Sequence, residues 1–466
     1  MKKLCCFIMV CVLLCSSFFI IPTSAAHEDF DVQSGVLIKY NGSDANVTIP
    51  AHITAIGDSA FAGNTKVQSV KLNDAVRVIG DRAFYGCSSL SSVTSGDKIS
   101  EVGDLAFYDT PYLDNSSDKY VMLGSVLLWY NGNSESVTIP TRCTSVASYA
   151  FARCEYLKSF TAYEGLLSIG TGAFYGCTKL SSVNLPASLS AVGAYAFDGT
   201  PYLSKAGDFA VAGDGVLLRY QGTDIDVTVP DTVKRIAPHA FVSSKTKSVA
   251  IPETVYSIDH YAFADCIGLE SIDYPEGLVT IGDGAFRGCK SLTEFKAPST
   301  LSYIGQYAFN GASAINNAML HGDHLTVSYH AFKSCTSLNY VLMTSGVTQL
   351  NDNAFDGCTA LEGIAIAPET KDISPSALSG CTKAVVCCND DAAAKSALSD
   401  HTVNTLMGDV DSSSELDLLD ASTIQYYIAH LVELNGTQTA SADVNFDGDI
   451  NILDAYICQL KIVHLL

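Results

Sequence analysis

The sequence predicts a repeat solenoid of short parallel β-strands and turns, followed by a small all-α module of two loop-helix units. Three observations carry this. Ala-Phe recurs at Phe61, Phe84, Phe107, Phe151, Phe174, Phe197, Phe241, Phe263, Phe286, Phe309, Phe332 and Phe355, and Ala377-Leu378 closes the series. The step is 23 residues almost everywhere, once 22 and twice 44. The last 60 residues then abandon the pattern for two acidic lines spaced 34 apart.

Around each Phe the same offsets hold. An Ile or Val lies five residues before it, usually followed by Gly. A Leu lies six after, Val or Ile nine after, Leu eleven after, and often Pro twelve after, as at Pro186, Pro275 and Pro298. A fixed period in the twenties marks a solenoid, in which no repeat can bury its apolar side alone. The Val-x-Leu pair has period 2, so both side chains point inward from a short strand. Pro ends that strand because it has no N–H for the ladder. Thr94, Asn184, Asp273 and Lys296 are left on the outer strand face with no shared chemistry.

An apolar fraction of 48% is ample for a core, and a net charge of −22 disfavours nucleic acid and anionic membrane surfaces. Residues 1–26 read as an export signal: Lys2-Lys3, an apolar stretch from Leu4 to Ile21, and a small-residue cleavage site at Ser24-Ala25-Ala26. A secreted, extracellular mature protein with no membrane contact after signal removal is therefore expected.

Three segments break the Ala-Phe turn: 35–42, 125–132 and 215–222, spaced 90 apart. With Ile38, Leu128 and Leu218 standing in for the Phe, Val47, Val137 and Val227 fall nine later and Pro50, Pro140 and Pro230 twelve later. Each 44-residue gap thus holds a further rung, a hairpin-like strand followed by an Asn-Gly or Gln-Gly turn. The count is about 16 rungs from Ile38 to Leu378. The pattern Ile-Gly-x-x-Ala-Phe-x-Gly-Cys-x-x-Leu-x-x-Val-x-Leu-Pro resembles the bacterial BspA-like leucine-rich repeats over roughly residues 30–405. That resemblance implies a surface for proteins or surface ligands, and no catalysis.

The solenoid is assigned to 27–383, and 384–406 to a C-terminal cap or an Ala-rich linker, with a strand near 384–388, a short helix from Asp390 to Ser399 and a last strand at 403–406. Eight cysteines occupy one slot three after the Phe: Cys87, Cys154, Cys177, Cys266, Cys289, Cys335, Cys358 and Cys381. Parallel stacking holds their Cβ atoms too far apart for good bridges, so a column of free thiols is expected.

The two acidic lines are Asp409 to Asp420 and Asp443 to Asp454. Both place oxygen side chains at positions 1, 3, 5, 9 and 12 of a twelve-residue loop, the ligand spacing of a calcium site. An apolar, helix-like stretch follows each, and no helix of comparable length precedes either. Two such units over 407–466 resemble the type I dockerin of cellulosomes, which docks on a cohesin domain of a scaffoldin and needs calcium to fold. The resemblance implies two calcium ions. Asp409, Asp411, Ser413, Asp417 and Asp420, with the Glu415 carbonyl, match the first site. Asp443, Asn445, Asp447, Asn451 and Asp454, with the Asp449 carbonyl, match the second. Ser414 stands where the second loop has Gly448, and Ser413 replaces a carboxylate, so the first site is expected to be the weaker.

By the same resemblance, the cohesin is read by Leu418, Leu419, Gln425, Tyr426 and His430, and by Ile452, Leu453, Gln459, Leu460 and His464. The alternative for the Leu and Ile residues is packing in the module's core. His321, His324 and His330 are not expected to form a metal site, nor Tyr149, Tyr195, Tyr261 and Tyr307 a sugar platform. The reading is a non-enzymatic component of a polysaccharide-degrading complex, in which the module attaches a solenoid that binds a protein, cell surface or plant polymer. The alternatives are a carbohydrate-active enzyme, or a protease inhibitor or adhesin, with its site in the solenoid.

Overall fold

The computed structural model describes residues 29–95, 98–344, 346–388, 393–405, 407–411, 413 and 415–462. The export signal expected at 1–26 lies outside them. The chain forms two compact units: residues up to Lys98 with Leu105–Asn115, and Ile99–Asp104 with Ser116 onward. Both are built from the same coil, and the chain makes about 15 turns.

A regular turn of the coil carries a strand of three or four residues with an inward apolar residue near its centre, Val, Ile or Phe in most, and a shorter strand at the Ile-Gly step. In the first unit Asn46–Thr48, Ser69–Lys71 and Ser92–Thr94 pair in parallel, with Val47, Val70 and Val93 in register. In the second unit one such sheet runs from Glu294–Lys296 through Asn317–Leu320, Tyr340–Met343, Gly363–Ala365 and Val385–Cys387 to Thr402–Asn404. The centres of these strands are buried, apart from the half-buried Val403, and their flanks face outward, as period 2 requires.

The Phe turns stack as a second ladder. The Phe84 N–H donates to the Ala106 carbonyl at 2.7 Å, and the Phe174 N–H to Ala196 at 2.7 Å, so each turn satisfies its neighbour. Their rings stack at 5.0 Å for Phe84–Phe107 and 5.1 Å for Phe174–Phe197. The cysteine slot completes this arrangement. Cys87 Sγ donates to the Phe61 carbonyl at 3.1 Å, and Cys289 Sγ to Phe263 at 3.1 Å. The described cysteines are free thiols, and burial pushes Cys177 up to about 12. A thiol fits the slot because it is small and brings a donor to a carbonyl in the core. Gly193, after Val192, has room for no side chain: a Cβ there would lie 2.4 Å from the Thr171 nitrogen.

The irregular rungs differ from expectation in two ways. Tyr40, Tyr130 and Tyr220, not Ile38, Leu128 and Leu218, take the Phe place. The Tyr40 N–H donates to the Ala60 carbonyl at 2.9 Å, the bond that Phe makes elsewhere, and the Tyr40 ring stacks on Phe61 at 4.9 Å. Ile38 is exposed. The hairpin also lies before the strand rather than after it. Phe30–Gln33 pairs antiparallel with Val36–Tyr40, turning through Ser34 and Gly35, both with positive φ. The Tyr hydroxyl fills the space at the Asn-Gly instead, where a Gly42 Cβ would lie 2.4 Å from it.

Helices are short. α1 (Pro111–Asp114) and α2 (Pro201–Ser204) start on Pro after Thr110 and Thr200. α3 (Ala393–Ala397) lies between Val385–Cys387 and Thr402–Asn404, which pair in parallel. α4 (Leu418–Ile428), α5 (Gly436–Ala442) and α6 (Ile452–Ile462) make up the C-terminal module, and α5 is an element the sequence reading did not contain. Among the described residues no helix is long and apolar enough to cross a membrane.

Candidate metal centre

Each acidic loop is closed by the Asp at its twelfth position. Asp420 Oδ1 accepts from the Val410 and Asp411 N–H groups at 2.7 and 3.2 Å, and its Oδ2 from Asp417 at 2.9 Å. Asp454 repeats this with Val444 and Asn445 at 2.9 and 3.4 Å and with Asn451 at 2.9 Å. Each carboxylate thus ties the start of its loop to the first turn of its helix. Asp417 caps α4, accepting from the Leu419 N–H at 2.6 Å, and Asn451 does the same for Leu453 at 2.8 Å.

The remaining predicted ligands turn inward on the loops. Asp409 Oδ1 and Asp411 Oδ1 both accept from the Ser413 N–H, at 3.0 and 2.9 Å. Asp443 Oδ1 and Asn445 Oδ1 both accept from Asp447 N–H, at 3.2 and 2.9 Å. Ser413 Oγ meets the Glu415 carbonyl at 3.0 Å, and Asn451 Nδ2 meets that of Asp449 at 3.2 Å. Carboxylate oxygens of Asp409, Asp411 and Asp420 lie within 4.8 Å of one another.

The electrostatics suit a cation. Asp420, Asp443 and Asp454 are fully buried. Burial first, and then the charge of Asp454, push the Asp443 carboxyl up to about 7; burial also raises Asp454. Crowded, buried carboxylates with carbonyl and amide oxygens beside them are the donor set of a hard divalent ion. Gly448 has φ +88°, so the second loop does require the left-handed residue there, while Ser414 lies outside the described residues.

A model of the BspA type leucine rich repeat region matches residues 39–117, 125–206, 221–326 and 257–385. The chain belongs to this repeat family. A Dockerin type I domain model matches residues 407–461 of this BspA-type protein, over both loops. No curated protein matches it. Similar solved structures include the pneumococcal vaccine antigen PcpA (18% identity, 80% of this chain and 95% of that one, TM-score 0.35). Others are a leucine rich cell surface protein from Faecalibacterium prausnitzii (25%, 79% and 94%, 0.26) and a leucine-rich repeat protein from Bacteroides ovatus (20%, 83% and 99%, 0.30).

In the dockerin, the core is Val410, Ala421, Ile424, Ala442, Val444, Ala455 and Cys458. Leu418, Leu419, Ile452 and Leu453 stay outside it, at 66%, 55%, 64% and 46% exposure, so core packing does not account for them. Tyr426 and His430 are exposed; Gln425, Gln459 and Leu460 are half-buried; His464 lies outside the described residues. His430 also ends α4 in the left-handed region, with the Leu431 N–H reaching back to the Tyr426 carbonyl at 2.9 Å. The sequence reading missed Tyr456, exposed on α6 at 53%. An aromatic one position past the repeated Asp-Ala pair, where the first unit has Ser422, was its available signal.

Other candidates in the solenoid do not assemble. His321 meets Thr344, His324 meets Asp323, and His330 meets the Asn353 carbonyl, each separately. In the tyrosine column, His239 stacks between Tyr195 and Tyr261 at 4.5 and 5.5 Å, and Tyr149 lies over Gly172. These rings spend their faces on the neighbouring rungs.

Proposed function

We propose that this is a secreted, cellulosome-associated binding protein, in which the dockerin plugs a leucine-rich repeat solenoid into the cohesin of a scaffoldin in a calcium-dependent way. The boundaries follow the reading above: a signal over 1–26, a solenoid over 27–383, a short cap to 406 and the dockerin from 407. Two calcium ions are held, one per loop, by the side chains of Asp409, Asp411, Ser413, Asp417 and Asp420 and of Asp443, Asn445, Asp447, Asn451 and Asp454. The Glu415 and Asp449 carbonyls complete the sets. Bound calcium supplies the positive charge that lets the buried carboxylates stay ionised. The chain's own contribution is the backbone cage around Asp420 and Asp454, which orients both ligands.

The observation that carries the reading is the apolar surface left uncovered at the starts of α4 and α6, where Leu418, Leu419, Ile452 and Leu453 stand clear of the core. Apolar residues repeated on two related helices and kept in water suit a protein partner. The solenoid's own ligand is a protein, a cell surface or a plant polymer. The test is the full chain carrying Leu418→Asp with Ile452→Asp. Binding to a scaffoldin cohesin should fall by about a hundredfold or more, while calcium uptake stays as in the wild type. Unchanged cohesin binding would overturn this assignment of the face.

A further inference from the structure

Beyond Lys296 the solenoid's outer strand face changes character. Positions filled by Ser182 and Asn184, or Glu294 and Lys296, in earlier rungs are taken by Tyr340 and Leu342, Gly363 and Ala365, Val385 and Cys387. An apolar stripe on a face that otherwise meets water calls for a cover. Helix α5 lies across Tyr340–Met343, Gly363–Ala365 and Val385–Cys387. Leu342, Ala365 and Cys387 form one buried cluster with Met407, Ala440 and Phe446, separate from the dockerin core.

The fit is close. A Cβ on Gly363 would lie 2.2 Å from the Gly436 carbonyl oxygen, and one on Gly436 would lie 2.0 Å from Asn339 Oδ1. Gly363 pairs in register with Tyr340 and Val385, so its strand accepts side chains at that position, and it is the helix above that excludes one. Glu362 fastens the helix start: its Oε2 accepts from the Gly436 N–H at 3.2 Å and its carbonyl from Thr437 Oγ1 at 2.9 Å.

The second calcium loop follows α5 onto this surface. Phe446, at φ +58°, inserts into the cluster. A Cβ on Gly448 would meet Met319 Sδ at 2.9 Å, and Asp449 Oδ1 lies 3.8 Å from Lys296 Nζ. We propose that the last rungs of the solenoid are a built-in receptor for the chain's own dockerin, one that holds the second calcium loop ready for its ion. The calcium half of this rests on the dockerin reading; the seat itself rests on the contacts.

The test uses the full chain with Gly363→Val on the solenoid side and, separately, Ala440→Glu on the dockerin side. Calcium is titrated calorimetrically into chelator-treated protein, and hydrogen exchange is followed over 436–448. The wild type should show two sites and slow exchange in α5. Both variants should lose roughly tenfold or more in affinity at one site and exchange α5 quickly, with α4, α6 and the solenoid strands unchanged. Wild-type calcium affinities and α5 protection in both variants would overturn the proposal while leaving the dockerin reading intact. A wild-type chain that takes up no calcium would overturn the dockerin reading; exchange alone then decides the seat, which stands if the variants lose α5 protection and falls if they keep it.

Discussion

In the first acidic loop Asp411, Ser413 and Glu415 are exposed to water; in the second Asp447 and Asp449 are exposed as well, but Phe446 is buried against the solenoid and Gly448 packs on Met319. The ligand spacing is the same, and so is the carboxylate cage at the twelfth position. What differs is the support. The described residues of the first loop bond within the loop and to α5, where Ser441 Oγ donates to the Asp409 carbonyl at 3.0 Å, and the second loop adds packing against Met319, more than a hundred positions earlier in the chain. Ligand spacing therefore specifies what ion a loop suits, while its surroundings decide how much of the loop is arranged beforehand.

The largest effect is expected from stripping calcium with a chelator. Chelation should unfold α4 and α6 and leave the solenoid's β signal in circular dichroism, because clustered carboxylates lose their counter-charge. Next come single closures. Asp454→Ala strands three backbone N–H groups and should cost on the order of 3 kcal/mol or more, read by urea unfolding, with faster exchange in α5. Asp420→Ala should cost a similar amount but leave α5 protected, and equal exchange in the two variants would erase the asymmetry. Phe446→Ala should destabilise the seat by about 3 kcal/mol and lower calcium affinity at one site only. The smallest effect belongs to Lys296→Ala. Its ion pair with Asp449 is exposed, so affinity should change by no more than about fivefold and less at high salt.

Much of the solenoid was legible because its signals are periodic. Phe, the inward Val and the small cysteine slot each recur at fixed offsets, and stacking requires exactly such recurrence of shape from rung to rung. The hairpin rungs were misread where the period slips. Matching Ile38 to the Phe kept the offsets to Val47 and Pro50, but the backbone bond to Ala60 belongs to Tyr40, a choice made by a neighbouring rung and not by local spacing. The acidic loops were legible because their spacing is local in sequence: Asp420 and Asp454 accept from N–H groups within ten residues of themselves. The seat was not read, although Met319, Leu342, Ala365 and Cys387 were already an apolar run at outer-face positions in the repeat register. Phe446 in an acidic loop was a second sign, with Ser412 as its counterpart in the first. Neither says what covers them until the chain is folded.

The most direct measurement is binding of the full chain to scaffoldin cohesins by surface plasmon resonance, in calcium and then in chelator. Binding should be tight in calcium, be lost on chelation and return when calcium is restored. A folded, calcium-loaded chain that binds no cohesin, or binding that persists in chelator, would contradict calcium-dependent docking.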